Sequence, residues 1–148
     1  KDAHDNATPS GNGMAATALL KLARLTGNNH WEEQAVRTLQ SIGTVLESNP
    51  LAAGQSLIAL DTLLGPRMEC VLVAGHDESD EAMALTLQST FLPRGIIVRR
   101  RNAPPQLTAV LFTDREPESR PQAFVCRDHS CHPPVHTADD LAQLLSQI

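Results

Sequence analysis

The 148-residue sequence has very few aromatic side chains: no tyrosine, one tryptophan and three phenylalanines. All three phenylalanines lie in the second half of the chain. Trp31 is on an apolar helical stripe, and we interpret it as a core residue. Sugar-binding sites commonly use a ring against which the sugar stacks, so we do not expect such a platform in this chain.

Positive charge is also limited. The sequence has 12 lysine and arginine residues against 17 aspartate and glutamate residues, a formal net charge of -5. This balance argues against binding to nucleic acid or to an anionic membrane surface. One basic cluster, Arg99 to Arg101 with Arg94 nearby, is interpreted as the solvated end of a strand, with an anion-binding patch as the alternative. No apolar run approaches the length of a membrane span.

The three cysteines are too few for the disulfide framework of a small secreted domain, so we predict a cytoplasmic protein. Cys70 lies within the apolar run 68–74 and is predicted to be a small buried side chain. Cys126 and Cys131 are five positions apart and form the most distinctive feature of the sequence.

Three interpretations of this cysteine pair stay open. The first is a pair of reduced thiols that pack at the end of a strand. The second is a disulfide or redox pair across a turn. The third is a tetrahedral metal site made of Cys126, Cys131 and two nearby histidines from among His129, His132 and His136. Four residues separate the cysteines, whereas zinc knuckles typically have two, and this spacing disfavours zinc.

Helical periodicity dominates residues 1–65. Apolar residues recur every three to four positions and predict helices from Ser10 to Gly27, from Trp31 to about Asn49, and over 57–64. Short connections predict antiparallel hairpins. Three helices leave an apolar face uncovered, so we expect this segment to pack against the remainder of a longer parent chain or another copy of this chain.

Residues 66–148 have the pattern of a small α/β domain. The apolar run 68–74, an acidic helix start at 77–81 and the run 96–98 predict a strand, a crossover helix and a second, parallel strand. A third strand is predicted at 122–126, a possible short strand at 107–112, and a last helix after Thr137. The predicted fold class is therefore α plus α/β, with helical hairpins followed by a small parallel-sheet unit. The turn at 75–78 lacks phosphate-binding motifs, and we predict no cofactor.

Several segments, taken in order, resemble the C-terminal end of the YyaL-type thioredoxin-domain proteins, a family that includes the animal spermatogenesis-associated thioredoxin-like proteins. The matching segments are 5–12 (DNATPSGN), 22–27 (LARLTG), 59–66 (ALDTLLGP), 91–93 (FLP) and 123–126 (AFVC), with Cys131 and Pro134. The resemblance runs through almost the whole chain and covers a minor, C-terminal part of the family's usual length.

The resemblance implies a parent protein with an N-terminal thioredoxin-like domain, then an (α/α) toroid like that of six-hairpin glycosidases, then a small α/β portion. Residues 1–65 would be the last hairpins of the toroid, and 66–148 the α/β portion. We accordingly expect a mainly structural segment of a protein whose activity could involve carbohydrate. The alternative is a redox or metal-responsive module that uses Cys126 and Cys131. The resemblance names no reaction, so whether the parent is an enzyme stays open.

A toroid would also imply candidate catalytic residues. Inner helices of such a fold direct their N-terminal ends toward the central cavity, where Asp5 could supply a carboxylate and Ser10 or Asn12 could hydrogen-bond a polyol. The alternative is that Ser10 and Asn12 cap the first helix and that Asp5 occupies a turn. Glycoside hydrolysis normally needs two carboxylates, and no second one can be assigned opposite Asp5.

Overall fold

The computed structural model of the chain describes residues 3–100 and 110–147. The chain divides into two compact units, Lys1–Gly65 and Pro66–Ile148. The first unit is helical, and the second combines two helices with a small four-stranded sheet. The coarse fold class predicted from the sequence, α plus β, is thus confirmed. No helix of the described ranges is long and apolar enough to cross a membrane.

The helical unit contains four α-helices. They are α1 (Gly11–Thr26), α2 (Asn29–Ser41), α3 (Gly43–Ser48) and α4 (Gly54–Leu64), with a 3₁₀ turn at Pro50–Ala52. The second helix predicted from the sequence is divided at Ile42, whose φ of -114° departs from helical geometry. Gly43 follows directly, and glycine weakens a helix interior because its unfolded backbone has more freedom to lose.

Helix α1 packs against both α2 and α4. The core between these helices is rich in alanine; its buried members are Ala16, Leu20, Ala35, Leu39, Ile42 and Ala59. Small side chains allow helix backbones to approach closely, although each buries little apolar surface. The buried Arg24 adds a polar tie, since its guanidinium donates a hydrogen bond to the carbonyl oxygen of Thr62 at 2.6 Å.

Within its described residues, 66–100 and 110–147, the second unit has four strands and two helices. In chain order these are β1 (Met68–Val73), α5 (Glu81–Ser89), β2 (Gly95–Arg100), β3 (Gln122–Arg127), β4 (Ser130–Cys131) and α6 (Ala138–Leu145). The strand order is β2-β1-β3-β4. The parallel pairing of β1 and β2 around a crossover helix is confirmed.

The rest of the sheet is antiparallel, and this corrects the prediction of a parallel sheet. Strand β3 runs against both β1 and β4. No crossover helix precedes β3 in the described part of the chain. Strand β3 begins beside Val73, at the end of the sheet where β1 and β2 finish, and therefore runs antiparallel to both. Residues 110–112 of the possible strand at 107–112 lie in a turn, and 107–109 lie outside the described residues.

One face of the sheet carries the main core of this unit. Cys70 and Leu72 of β1 and Ala123 and Val125 of β3 pack against α5 and α6. Alternation along a strand sends the side chains of Glu69, Phe124 and Cys126 toward the opposite face. Helices α5 and α6 therefore cover one face of the sheet, and Cys126 lies on the other face.

The basic cluster at the end of β2 is engaged in ion pairs. Arg99 forms two hydrogen bonds of 2.7 Å to the buried carboxylate of Asp80 and one of 2.8 Å to Glu81. These carboxylates raise the pKa of Arg99. Arg100 pairs with Glu116 at 3.1 Å, and Arg101 lies outside the described residues. Arg99 and Arg100 thus hold neighbouring elements of this unit together.

Candidate functional site

Asp5 uses both carboxylate oxygens to bind backbone N–H groups. Oδ1 accepts from the Ser10 amide at 2.7 Å, and Oδ2 accepts from the Gln55 amide at 2.7 Å. The hydrogen bond from Gln55, followed by the one from Ser10, lowers the pKa of Asp5 because both stabilise the ionised carboxylate. The amide of Asp5 in turn donates to the carbonyl of Ala52. Asp5 thereby ties the N-terminal loop to the first turn of α4.

Ser10 is buried and is the N-cap of α1. Its hydroxyl accepts a hydrogen bond from the amide of Gly13 at 3.2 Å, the ordinary role of a serine at this position. Asn12 lies half-buried in the first turn of the same helix. The structure thus brings Asp5 and Ser10 together at the start of α1. Asp5 binds the Ser10 amide, and a side-chain hydrogen bond with Ser10 contributes further to its lowered pKa.

Sequence reasoning missed Gln55 and Ser56, which complete this region. Gln55 Nε2 donates to the hydroxyl of Thr17 at 2.8 Å, linking α4 to α1. A Cβ atom at Gly13 would lie 2.9 Å from both Gln55 Cγ and Ser56 Oγ, so the close approach requires glycine. Ser56 Oγ is buried without a hydrogen-bond partner within the described ranges. Gly13 was visible in the sequence as part of a helix start, but its contact with α4 was not.

Cys126 and Cys131 form a disulfide across a tight hairpin. Strands β3 and β4 pair Arg127 with Ser130 and Cys126 with Cys131, which leaves a two-residue loop. Both loop residues, Asp128 and His129, have positive φ, 47° and 68°. This conformation characterises the turns that match the twist of a hairpin. The loop places the two cysteines directly opposite each other.

The hairpin loop is anchored to the start of the sheet. Asp128 Oδ1 accepts a hydrogen bond from the Arg67 amide at 2.7 Å, and the Asp128 amide donates to the Arg67 carbonyl at 3.0 Å. At the far end of β4, the His132 amide donates to the Val125 carbonyl. These bonds fix the position of both cysteines through the backbone.

Arg115 lies against the disulfide. Its Nη2 donates to Cys126 Sγ at 3.4 Å and to Cys131 Sγ at 3.5 Å, while Nη1 donates to the Leu111 carbonyl at 2.7 Å. The guanidinium carbon is also 4.8 Å from the centre of the Phe124 ring. Burial lowers the pKa of Arg115, and the negative charge of Glu69 opposes that shift. Arg115 follows a turn at 110–114, and no sequence motif indicated its proximity to the cysteines.

The metal alternative depends on free thiolates and converging histidines. In the structure the two sulfurs are bonded to each other. Within 3–100 and 110–147, no group of three or more histidine, cysteine, aspartate or glutamate side chains could hold a metal ion. His129 and His132 are exposed, and His136 Nδ1 is 3.1 Å from the Pro121 carbonyl oxygen. Of the three interpretations left open for the cysteine pair, the structure shows the disulfide.

The third cysteine has a different environment. Cys70 is free, and its residue is only 1% exposed in the core. Burial raises the pKa of its thiol to about 11 because the ionised form is poorly solvated there. A thiol that stays protonated is a poor nucleophile. The prediction that Cys70 is a small core side chain is confirmed.

The chain is similar to proteins of one name from several mammals. The chain is 25% identical to spermatogenesis-associated protein 20 of Homo sapiens over 150 residues, which are 98% of this chain and 19% of the relative. The proteins of the same name from Rattus norvegicus and Mus musculus are 24% and 23% identical, each over 99% of this chain. The similarity shows distant homology, and the chain spans about a fifth, 19%, of the length of these relatives. No family model matches the chain, and no solved structure matches it significantly.

Proposed function

We propose that this chain is the C-terminal portion of a longer thioredoxin-domain-containing protein related to spermatogenesis-associated protein 20, and that its role there is mainly structural. Residues 1–65 would close a helical toroid, and 66–148 would form a small terminal domain. The observation that supports this most is the extent of the similarity, which covers nearly all of this chain but 19% of each relative. Any carbohydrate chemistry of the parent would then use groups outside this chain.

The surface of the helical unit supports a structural role. Large apolar side chains point outward from it: Met14, Leu22, Leu51, Ile58 and Leu64 are 42–97% exposed. Surface of this kind is typical of a helical segment that packs against further elements. Asp5 is consistent with the same role, because its carboxylate binds backbone amides that position α1 and α4. The proposed occupant of this surface is the remainder of the parent chain, with another copy as the alternative.

The first test asks whether the natural protein that contains this chain is longer than the chain. An antibody raised against 138–147 would isolate that product, and peptide mapping would give its length. We expect upstream peptides from helical hairpins and from a thioredoxin-like domain. A product that begins close to Lys1 would contradict the proposal.

The second test concerns the exposed apolar surface. The variant Ile58→Lys should lower the melting temperature of the parent protein but leave that of the isolated 148-residue chain nearly unchanged. The matched control is Gln40→Lys, which adds the same charge at an exposed polar position of α2 and should alter neither protein. Equal effects of Ile58→Lys on the parent and on the isolated chain would argue that no parent segment covers this face.

A second candidate function, thiol-disulfide exchange, is favoured by the hairpin disulfide. Cys126 and Cys131 form a disulfide in an exposed hairpin, and Cys131 is itself exposed. Alkylation of the chain before and after treatment with dithiothreitol would test this role. We expect one reactive pair to appear on reduction without unfolding. A pair that is reduced only when the chain is denatured would assign the disulfide a structural role.

A further inference from the structure

The two cysteines of the hairpin disulfide differ in their exposure to solvent. The residue Cys126 is 3% exposed, whereas Cys131 is exposed at the end of the short strand β4. Thiol-disulfide exchange requires an incoming thiolate to reach one sulfur while the other leaves. Accessibility therefore favours attack on Cys131 Sγ, with Cys126 as the leaving group.

We propose that an external dithiol attacks the sulfur of the exposed residue Cys131 and that Arg115 stabilises the thiolate released on Cys126. This inference rests on the exchange role given above as the second candidate function. The fitting partner is a protein dithiol of the CxxC type, because a vicinal pair can complete both steps of the reaction. Arg115 acts directly on the reacting sulfur, because its Nη2 group contacts Cys126 Sγ.

The reaction balances in two steps. In the first, a thiolate of the dithiol forms a bond to Cys131 Sγ, the bond between Cys126 and Cys131 breaks, and Cys126 leaves as a thiolate. In the second step, the partner's other thiol loses its proton and attacks the partner's first sulfur, which is bonded to Cys131 in the mixed disulfide. This attack releases Cys131 as a thiolate. The two thiolates gain two protons from the partner's thiols. The chain's disulfide is reduced to two thiols, and the dithiol is oxidised to a disulfide.

The contacts of Arg115 suit this role. Arginine keeps its positive charge at any pH at which proteins fold, and the Nη2 group is already 3.4 Å from the sulfur that would become negative. The Leu111 carbonyl and the Phe124 ring hold the guanidinium in place. A thiolate beside a fixed cation has a lowered pKa, and a thiol of lower pKa leaves faster. Glu69 lies opposite Cys126 on β1, and its negative charge opposes the lowering of the Cys126 pKa by Arg115.

The order of attack is tested on the oxidised 148-residue chain with reduced glutathione as the probe. The reaction is quenched with acid before the released thiolate can displace the glutathione, and peptide mapping identifies the cysteine that carries it. We expect the glutathione on Cys131 and a free thiol at Cys126. Glutathione found mainly on Cys126 would overturn the assignment.

The role of Arg115 is tested by the reduction rate with dithiothreitol and by the pH profile of iodoacetamide alkylation of the reduced chain. For Arg115→Gln we expect the thiolate pKa to rise by about one unit and the reduction to slow about threefold, since rates depend on thiol pKa with a coefficient of about 0.5. Arg115→Lys should retain part of the effect. The control is Arg127→Gln, an exposed arginine adjacent to Cys126 whose side chain alternates to the other face.

The outcomes separate the two levels of the proposal. If the wild-type disulfide resists dithiothreitol in the folded state, the exchange role itself fails. If it is reduced readily but Arg115→Gln and Arg127→Gln give the same rates and pH profiles, only the role of Arg115 fails. Circular dichroism of each variant shows whether it is folded, and Arg115→Lys keeps the test decisive if Arg115→Gln unfolds.

Discussion

The two units of this protein differ in what fills their interiors. Among the residues that the structure describes, the largest fully buried side chains are Leu72, Leu87, Leu141, Val71, Val73, Val125, Cys70 and Ser56. All but Ser56 belong to the α/β unit, and Ser56, the one from the helical unit, carries a hydroxyl without a partner among the residues the structure describes. The α/β unit therefore has the more extensive apolar core. In the core of the helical unit, alanine makes up half of the buried members, and Leu20, Leu39 and Ile42 are the larger ones.

This difference shows how a short sequence can contain one self-supporting unit and one that depends on its surroundings. Burial of an aliphatic side chain stabilises a fold by about 1.5–3 kcal/mol, and alanine contributes much less. The helical unit places several of its larger apolar side chains outside, among them Leu51 and Leu64. We therefore expect the helical unit to be the less stable of the two in the isolated chain.

The largest expected effect concerns Leu72, which is fully buried in the centre of the sheet. Leu72→Ala should lower the free energy of unfolding of the α/β unit by about 4 kcal/mol, because it removes apolar contact and leaves a cavity. Leu20→Ala, at an equivalent burial in the helical unit, should cost about 2 kcal/mol, since the thinner core can relax around it. Urea denaturation provides the measurement. Equal losses would show that the two cores are comparable.

A smaller effect is expected at the close contact between α1 and α4. Gly13→Ala would place a Cβ atom 2.9 Å from Gln55 and Ser56, and overpacking of this kind costs about 1–3 kcal/mol. The higher helix propensity of alanine offsets part of that cost. Gly11→Ala is the matched control, because nothing lies within 4 Å of its Cβ. Destabilisation by both variants alike would refute the packing explanation.

The smallest effect concerns Asp5 and depends on pH. Its pKa is lowered in the folded state from the ordinary value of 3.8, so the ionised carboxylate favours folding. This contribution is present above pH 3.8 and is lost as the pH falls through the lower, folded value. The urea midpoint of the helical unit should therefore fall more steeply on acidification in the wild type than in Asp5→Asn. Parallel pH profiles would show that Asp5 contributes nothing.

Much of the secondary structure was predictable because the spacing of apolar residues differs between helices and strands. The run 68–74 and the stripes of α1 and α2 indicated their elements from local pattern alone. The sheet's mixed direction was missed because the sequence between β2 and β3 does not specify which way β3 enters. Strand β4 was missed as well, because its turn is formed by Asp128 and His129 in place of the usual Asn-Gly pair.

The candidate sites show the same limit. The proximity of Cys126 to Cys131 was visible from their spacing, and a disulfide was one of the interpretations left open. Arg115 was not visible, because its contact with the sulfurs depends on the path of a loop with no repeating pattern. For Asp5, the sequence suggested a turn residue, but the link to Gln55 spans fifty positions and depends on tertiary packing.

The comparison between the units can be tested directly because each unit has its own reporter. Trp31 is the single tryptophan and lies in the helical unit, and Cys70 is a buried free thiol in the α/β unit. Unfolding of the oxidised chain in increasing urea would be monitored by Trp31 fluorescence and by pulsed alkylation of Cys70. We expect the Trp31 transition at clearly lower urea than the exposure of Cys70. Coincident transitions, or earlier exposure of Cys70, would contradict the conclusion that the α/β unit is the self-supporting one.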